Sequence, residues 1–428
     1  MPSRRIVPRF GPLRGIRVLD TGRVVAGPWA ATILGDFGAE IIHVEGTPFA
    51  PPYADPTRIL PPMLPQGSPL EDTVSESWVQ YSRNKLSLGL DVTRPEGREV
   101  FLDLVARSDI WIDASRPGTF DKFRLSDATV LKANRKIVIA HVSGFGQSGD
   151  PGYVMRPSYD IIAQAFSGFL SAQGKPPPEP PTQSGTAIND LVTGMATALG
   201  ALMAYVHAQA SGQGQVVDVA QYEVFFLMME NMALDYFLQG KVRGRYGNAH
   251  PRLHPYEIFP AKDGWIVLAA PTPRSWKRLR EWASLPDTPD WNSMAWRVAH
   301  RELVNRRISA ITRRATQAEL EQEGLRHDIA FSPIFTMQDI ADNPQYRSRE
   351  MLLSWMDPVL GKVRGAGIVP KLSRTPGRVW RGAPWLGQDN QRVLGSILGY
   401  GPDRTRQLRK LNVIGAYRPG GRRPARKP

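Results

Sequence analysis

The stretch SGTAINDLVTGMATALGAL, from Ser184 to Leu202, holds one acid, Asp190, followed by a small-residue run with no charge until His207. That run reads as a helix, so the carboxylate stands near a helix start. Such a carboxylate has two uses. It can satisfy free backbone N–H groups as a cap, the commoner case. It can also serve as a nucleophile, kept ionised by the positive end of the helix dipole. The stretch alone leaves both open.

Other candidates for chemistry carry less. GFGQSG, Gly144 to Gly149, has the G-x-G-x-x-G spacing of a dinucleotide turn and follows an apolar strand. That fingerprint needs a helix opening at the third glycine, and DPGYVMRP follows instead. His250 and His254 are four apart, a zinc-ligand spacing on a helix. Each is followed within one residue by proline, which excludes a regular helix, and no third ligand is near, so no metal site is expected. There is no cysteine, which removes thiolate ligands and a Cys nucleophile. Neither a phosphate-binding lysine loop nor a G-x-S-x-G elbow occurs, so ATP use and serine-hydrolase chemistry have no support.

The elements around Asp190 read as an α/β protein. IRVLD and EIIHVE are apolar strand runs on either side of a helix over GPWAATILGDFGA, a right-handed βαβ unit with a parallel pair. Thr47 to about Gln80 is Pro-rich and has no sustained period. Alternation then resumes through LSLGLDV, a helix opened by Pro95, DIWIDA and KIVIAHV. YDIIAQAFSGFL predicts a helix, GQVVDVA a strand, and Gln221 to Gly240 an apolar helix. From about Arg243 the pattern changes. A hairpin turns at Asp263-Gly264, and helices follow, including a long one over SMAWRVAHRELVNRRISAITRRAT. Strand-like pieces and a last helix, NQRVLGSILGY, return after Met351. This divides the chain into a large α/β part over 1–220 with a Pro-rich insertion at 47–80, a linker helix at 221–242, an inserted α+β domain at 243–345, a return at 346–417, and a disordered basic tail at 418–428.

The net charge of +14 sits at the ends: Arg4, Arg5, Arg9 and Arg14, then nine basic residues from Arg404 onward. No aromatic residues interleave with them, so nucleic-acid binding is not expected. No signal-peptide core opens the chain, and the most apolar long segment carries Glu223, Glu230 and Asp235. A soluble, cytoplasmic protein without a membrane partner is expected.

Several blocks in order resemble the class III CoA-transferases, the CaiB/BaiF group. LRGIRVLDTGRVVAGPWAATILGDFGAEIIHVE resembles the opening strand, AGP turn and following helix–strand of that family. NKLSLGLDVTRPEGREVFLDLVARSD is similar to its second block, VSGFGQSG to its usual turn, and APWLGQDNQRVLGSILG to its closing segment. The family's nucleophilic aspartate sits in GD-x-x-x-G or AD-x-x-x-G before a small-residue helix. NDLVTGM matches, with Asn189 in the preceding place and Gly194 as the motif glycine.

The resemblance implies a large Rossmann-like domain built from both ends of the chain, a smaller inserted domain, and an interlocked homodimer or a heteromer with a paralogous subunit. It implies an acyl-CoA:carboxylate CoA-transferase whose substrates are acyl-CoA and carboxylic acids, with no tightly bound cofactor. Asp190 would be the nucleophile. Val24, Val25, Ala26, Lys85 and Lys122 would approach CoA, and Tyr159 and Gly247 the acyl substrate. Leu86 and Gly46 stand where relatives carry arginines, and YGNAHPRLHPY stands where some carry a glycine run. The alternatives are an α-methylacyl-CoA racemase, in which Tyr159 would occupy the place of a histidine base, and a CoA-binding subunit of a paired transferase.

Overall fold

The computed structural model describes residues 6–47, 54–68 and 72–418. The tail beyond Arg418 and two pieces of the Pro-rich stretch lie outside them. The chain forms two compact units. One comprises residues up to Ser167, Ser184–Glu230 and the chain from Ser348; the other comprises Gly168–Gln183 and Asn231–Arg347.

The first unit is built on a six-stranded sheet. Its strands are β1 (Arg17–Asp20), β2 (Glu40–Glu45), β5 (Lys85–Gly89), β6 (Ile110–Asp113), β7 (Val138–Ser143) and β8 (Val216–Ala220), and β3 (Met63–Leu64) and β4 (Val74–Ser75) form a separate two-residue pair. The order is β5-β2-β1-β6-β7-β8 and every pairing is parallel. β1, β2, β5 and β6 are buried along their whole length, which explains why they show no regular apolar–polar alternation. The charges inside them are matched by register. Arg17 on β1 lies opposite Glu40 on β2, with Nε 2.6 Å from Oε2.

The edge strand β5 is covered by the C-terminal segment. Ser87 N–H donates to Asp389 Oδ2 at 3.1 Å, Gly89 N–H to Asn390 Oδ1 at 3.0 Å, and Gly415 N–H to Gly89 O at 3.1 Å.

Helix Ile188–Ser211 packs on helix Ala26–Asp36 and over β7 and β8. Thr193, Gly194, Thr197, Ala198, Ala201, Ala204 and Ala208 form its buried face. Small side chains at that spacing let the two helices approach closely: a Cβ on Gly194 would stand 2.8 Å from Ala26 O. By length and composition alone this helix would also pass for a membrane span, but its small-residue face is spent inside the unit.

The second unit holds an antiparallel sheet, β9 (Tyr256–Ala261), β10 (Gly264–Ala269) and β11 (Ala330–Pro333), in the order β11-β10-β9. Helices Pro273–Trp282, Arg301–Thr312 and Gln317–His327 close a core around Phe259, Leu268, Trp276 and Ile308. The hairpin β12 (Leu352–Asp357) and β13 (Gly361–Ala366) belongs to the first unit.

Several expected elements differ. The Pro-rich stretch is partly ordered, with a 3-10 turn Pro56–Ile59, the β3–β4 pair and helix Glu76–Tyr81. These pieces are too short to show a period. YDIIAQAFSGFL breaks at Gly168, φ +88°, and the apolar helix from Gln221 breaks at Glu230, φ +51°, into Gln221–Leu227 and Met232–Gln239. The long helix of the second unit breaks at His300 into Met294–Ala299 and Arg301–Thr312. NQRVLGSILGY is not the last helix: Pro402–Lys410 follows, so Arg404, Arg406, Arg409 and Lys410 are part of the fold.

Candidate active site

Strands β1 and β6 are neighbours whose chains continue in opposite directions across the sheet, β1 toward β2 and β6 toward β7. The crevice beyond the carboxyl ends of such a pair is the usual ligand site of an open parallel sheet. Here it is a cavity of about 480 Å³. Val24, Val25 and Ala26 line it from the β1 side, Ser115 and Arg116 from the β6 side, and Asp190 at its wall.

Asp190 is the third residue of helix Ile188–Ser211, inside the first turn. Its backbone N–H donates to Asp160 Oδ1 at 3.1 Å, and that of Asn189 donates to the same oxygen at 2.7 Å. The Asp190 side chain therefore caps nothing. Its Oδ1 accepts from Gln221 Nε2. Gln221 is held in turn, since its Oε1 accepts from Ser158 Oγ at 3.1 Å and its backbone carbonyl from Asn189 Nδ2 at 3.1 Å. Burial raises the Asp190 carboxyl, the negative charge of Asp160 raises it further, and the Gln221 amide opposes both. The result is a pKa pushed up to about 7.

Among the described residues Asp190 is the only acid lining the cavity, against three arginines, Arg23, Arg116 and Arg156. None of the three has a carboxylate partner among the described residues. Arg156 donates from Nε to Gly152 O at 2.7 Å and lies 4.0 Å over the Tyr153 ring. A second cavity of about 210 Å³, walled by Leu90, Val92, Phe120 and Phe123, shares Arg23, Ser115 and Thr119 with the first.

Helix Ala26–Asp36 begins in the cavity wall without a side-chain cap at Val25. Pro28 has no N–H, so the N–H groups of Ala26 and Gly27 are the ones left at its start. Just before it Val24 has φ +67°. A β-branched residue in that region costs about 1–3 kcal/mol.

The structure thus brings Asp190, Val24, Val25, Ala26 and Tyr159 to one cavity. The others lie elsewhere. Lys85 is fully buried, and its Nζ is taken up by Asp20 Oδ2 at 2.9 Å and Pro28 O at 2.8 Å, so it is not placed to meet a phosphate. Burial would raise the Asp20 carboxyl, but Lys85 and His43 outweigh it and bring it down to about 2. Lys122 ends the short helix Thr119–Lys122 on the surface, outside the cavity lining. Gly247 belongs to the second unit, where its N–H donates to Gly174 O at 2.9 Å. The GFGQSG run closes a turn, with Gly146 at φ +91° and Gly149 at φ +124°, and only the four-residue helix Pro151–Val154 follows. No group of three metal-ligating side chains occurs among the described residues.

An open parallel sheet with a lone buried carboxylate facing basic side chains suits chemistry on an anionic ester. The chain belongs to CoA-transferase family III, whose profile matches residues 13–390, and it is an enzyme of that class. It is 32% identical over 424 residues to the bile acid CoA-transferase BaiK of Clostridium scindens, covering 96% of this chain and 91% of that one. It is 33% identical over 408 residues to the succinyl-CoA–L-malate CoA-transferase alpha subunit of Chloroflexus aurantiacus, covering 94% and 92%. Its fold is similar to the crystal structure of a CaiB/BaiF family protein from Brucella suis, with TM-score 0.78 and 25% identity over 91% of this chain and 100% of that one.

Proposed function

We propose that this enzyme moves CoA between carboxylic acids through a covalent sequence on Asp190. The Asp190 carboxylate attacks the thioester carbonyl of a donor acyl-CoA. A C–O bond forms, the C–S bond breaks, and CoA leaves as thiolate from a mixed anhydride. The thiolate then attacks the Asp190 carbonyl, forming an aspartyl-CoA thioester and releasing the donor acid. An acceptor carboxylate attacks that thioester, and the returning thiolate takes the acceptor's acyl group and frees Asp190. Thioester and anhydride are close enough in energy that no ATP is needed, and two easier steps replace one hard one.

The observation that carries this reading is Asp190 as the sole acid, among the described residues, in a cavity with three arginines that have no carboxylate partner among those residues. Arg23 and Arg116 supply positive charge for the CoA phosphates, in place of the arginine absent at Gly46. The N–H group of Ala26, in the cavity wall, offers stabilisation for the developing oxyanion. A carboxylate with its pKa near neutrality is a better nucleophile than an ordinary one and is still largely ionised at slightly alkaline pH.

The second copy implied by an interlocked dimer finds support in exposed apolar side chains. Met195, Leu199, Met203 and Val206 follow one another along the outer face of helix Ile188–Ser211, and Leu227 and Phe237 are 83% and 80% exposed. The relative named as an alpha subunit makes a paralogous partner the alternative.

The test is peptide mass spectrometry after incubation with succinyl-CoA and hydroxylamine. Conversion of Asp190 to a hydroxamate is expected. Acyl-CoA turnover with Asp190 unmodified, or deuterium uptake at the α-carbon of a 2-methylacyl-CoA, removes the reading.

A further inference from the structure

Among the described non-glycine residues with left-handed backbone, Val24 alone is β-branched. It stands in the wall of the Asp190 cavity, one residue ahead of Val25 and two ahead of Ala26. Such a residue takes up that backbone only where its surroundings hold it there.

The hold comes from the Pro-rich stretch. The Val24 N–H donates to Asp55 Oδ1 at 3.3 Å. Asp55 is itself fixed. It is 2% exposed, its Oδ1 also accepts from Thr57 N–H at 2.8 Å and Thr57 Oγ1 at 2.7 Å, and its own N–H donates to Glu45 Oε2 at 3.2 Å. Glu45 ends β2 and is clamped by Arg58, whose Nε donates to Oε2 at 2.8 Å. Arg58 donates onward to Pro384 O at 3.0 Å and lies 3.7 Å over the Trp78 ring. A continuous set of buried and part-buried contacts therefore runs from the sheet through Asp55 to the Val24 turn in the wall of the Asp190 cavity. Pro56, the next residue after Asp55, also lines the cavity.

We propose that Asp55 is a positioning residue for CoA transfer: it holds the Val24 turn left-handed and so sets the start of helix Ala26–Asp36 against the Asp190 cavity. The Pro-rich stretch is then part of the catalytic apparatus. Asp55 has another use, as cap of the 3-10 turn Pro56–Ile59, and a cap alone would affect stability without touching Val24. The proposal rests on Asp190 being the nucleophile.

The experiment is single-turnover formation of the Asp190 adduct with succinyl-CoA, followed by quench and intact mass. Asp55→Ala slows adduct formation by about tenfold or more while the half-saturating succinyl-CoA concentration moves less than about threefold. Asp55→Asn, whose carboxamide oxygen still accepts the Val24 N–H, stays within about threefold of wild type. Val24→Gly, which takes φ +67° without penalty, returns at least about threefold of the rate when added to Asp55→Ala. Val24→Pro leaves Asp55 untouched but has no N–H and cannot take a positive φ, so it slows the adduct about tenfold even if Asp55→Ala fails to fold. Wild-type rates in Asp55→Ala or Val24→Pro, or a double variant no faster than Asp55→Ala, overturn this proposal alone. Turnover of succinyl-CoA by wild type with no adduct at Asp190 overturns the nucleophile reading and this proposal together.

Discussion

Asp160 Oδ1 accepts the N–H of Asn189 at 2.7 Å and of Asp190 at 3.1 Å, so one carboxylate caps the helix that displays the other. The capping use of an acid at this helix start falls to Asp160 and not to Asp190. Asp160 lies on a different helix, Asp160–Phe166, and its Oδ2 accepts from Gln164. Freed from capping, the Asp190 side chain turns to the cavity. Its capping neighbour also bears on its charge, because the two carboxylates repel.

The first prediction concerns pH. With Asp190 pushed up to about 7, kcat/KM rises with pH through that value and levels off above it. Asp160→Asn keeps an oxygen for the two N–H groups and removes the like charge, so the rising limb moves to lower pH. A limb that stays in place would show that the charge of Asp160 is not felt. The sign for stability is the reverse of a salt-bridged acid. The folded protein favours protonated Asp190, so its contribution is present below the ordinary carboxylate range and is lost as pH rises through about 7. Asp190→Asn is therefore more resistant to urea than wild type at pH 8, read from the denaturation midpoint.

Gln221→Leu removes the one donor to Asp190 Oδ1 among the described residues. The rising limb moves up in pH and kcat at pH 7 drops about tenfold, since a buried carboxylate without its hydrogen bond is less often ionised. An unchanged pH profile would falsify the orienting role of Gln221.

Arg116→Ala and Arg23→Ala each raise the half-saturating acyl-CoA concentration by about tenfold and leave kcat within about twofold, because a phosphate contact is held equally before and during reaction. The wild-type value climbs with added salt, and each variant responds less. If kcat falls instead, the arginine acts at the reacting centre.

His141 on β7 joins Asp113 and Asp127, with Nε2 2.9 Å from Asp127 Oδ1 and Nδ1 3.3 Å from Asp113 Oδ2. Burial opposes its charge, but the two carboxylates prevail and raise it to about 10. A histidine raised in the folded state stabilises fully below its ordinary value of about 6.5 and loses that contribution as pH climbs through the folded value. Wild type should lose thermal stability between pH 7 and 10, by at most about 1.4 kcal/mol per pH unit from this group. His141→Gln should flatten that slope, and an equal slope in both proteins would count against the ion cluster.

Much of this site could be read from residue order. Asp190 stood out as a lone acid before an uncharged run, and the sheet strands as apolar runs, because burial on both faces leaves no polar alternation. Asp160, Gln221 and the three arginines carry no local signal. Asp160 reaches Asp190 across 30 residues and Gln221 across 31, and only the folded backbone brings them together. Lys85 misled for the converse reason. A lysine in a matching block looks like a phosphate ligand until Asp20, 65 residues away in sequence, is seen to occupy it. The breaks at Gly168, Glu230 and His300 interrupt runs whose composition is helical throughout, since a single residue outside helical φ/ψ is enough to end a helix.

The covering of β5 by residues around Asp389, Asn390 and Gly415 has a consequence for biosynthesis. The strand is made well before its cover, which follows roughly 300 residues later in the chain. While the polypeptide is still leaving the ribosome, the outer rim of the sheet offers unpaired backbone groups to any neighbouring nascent chain. That hazard ends only once residues 389–415 have followed and docked.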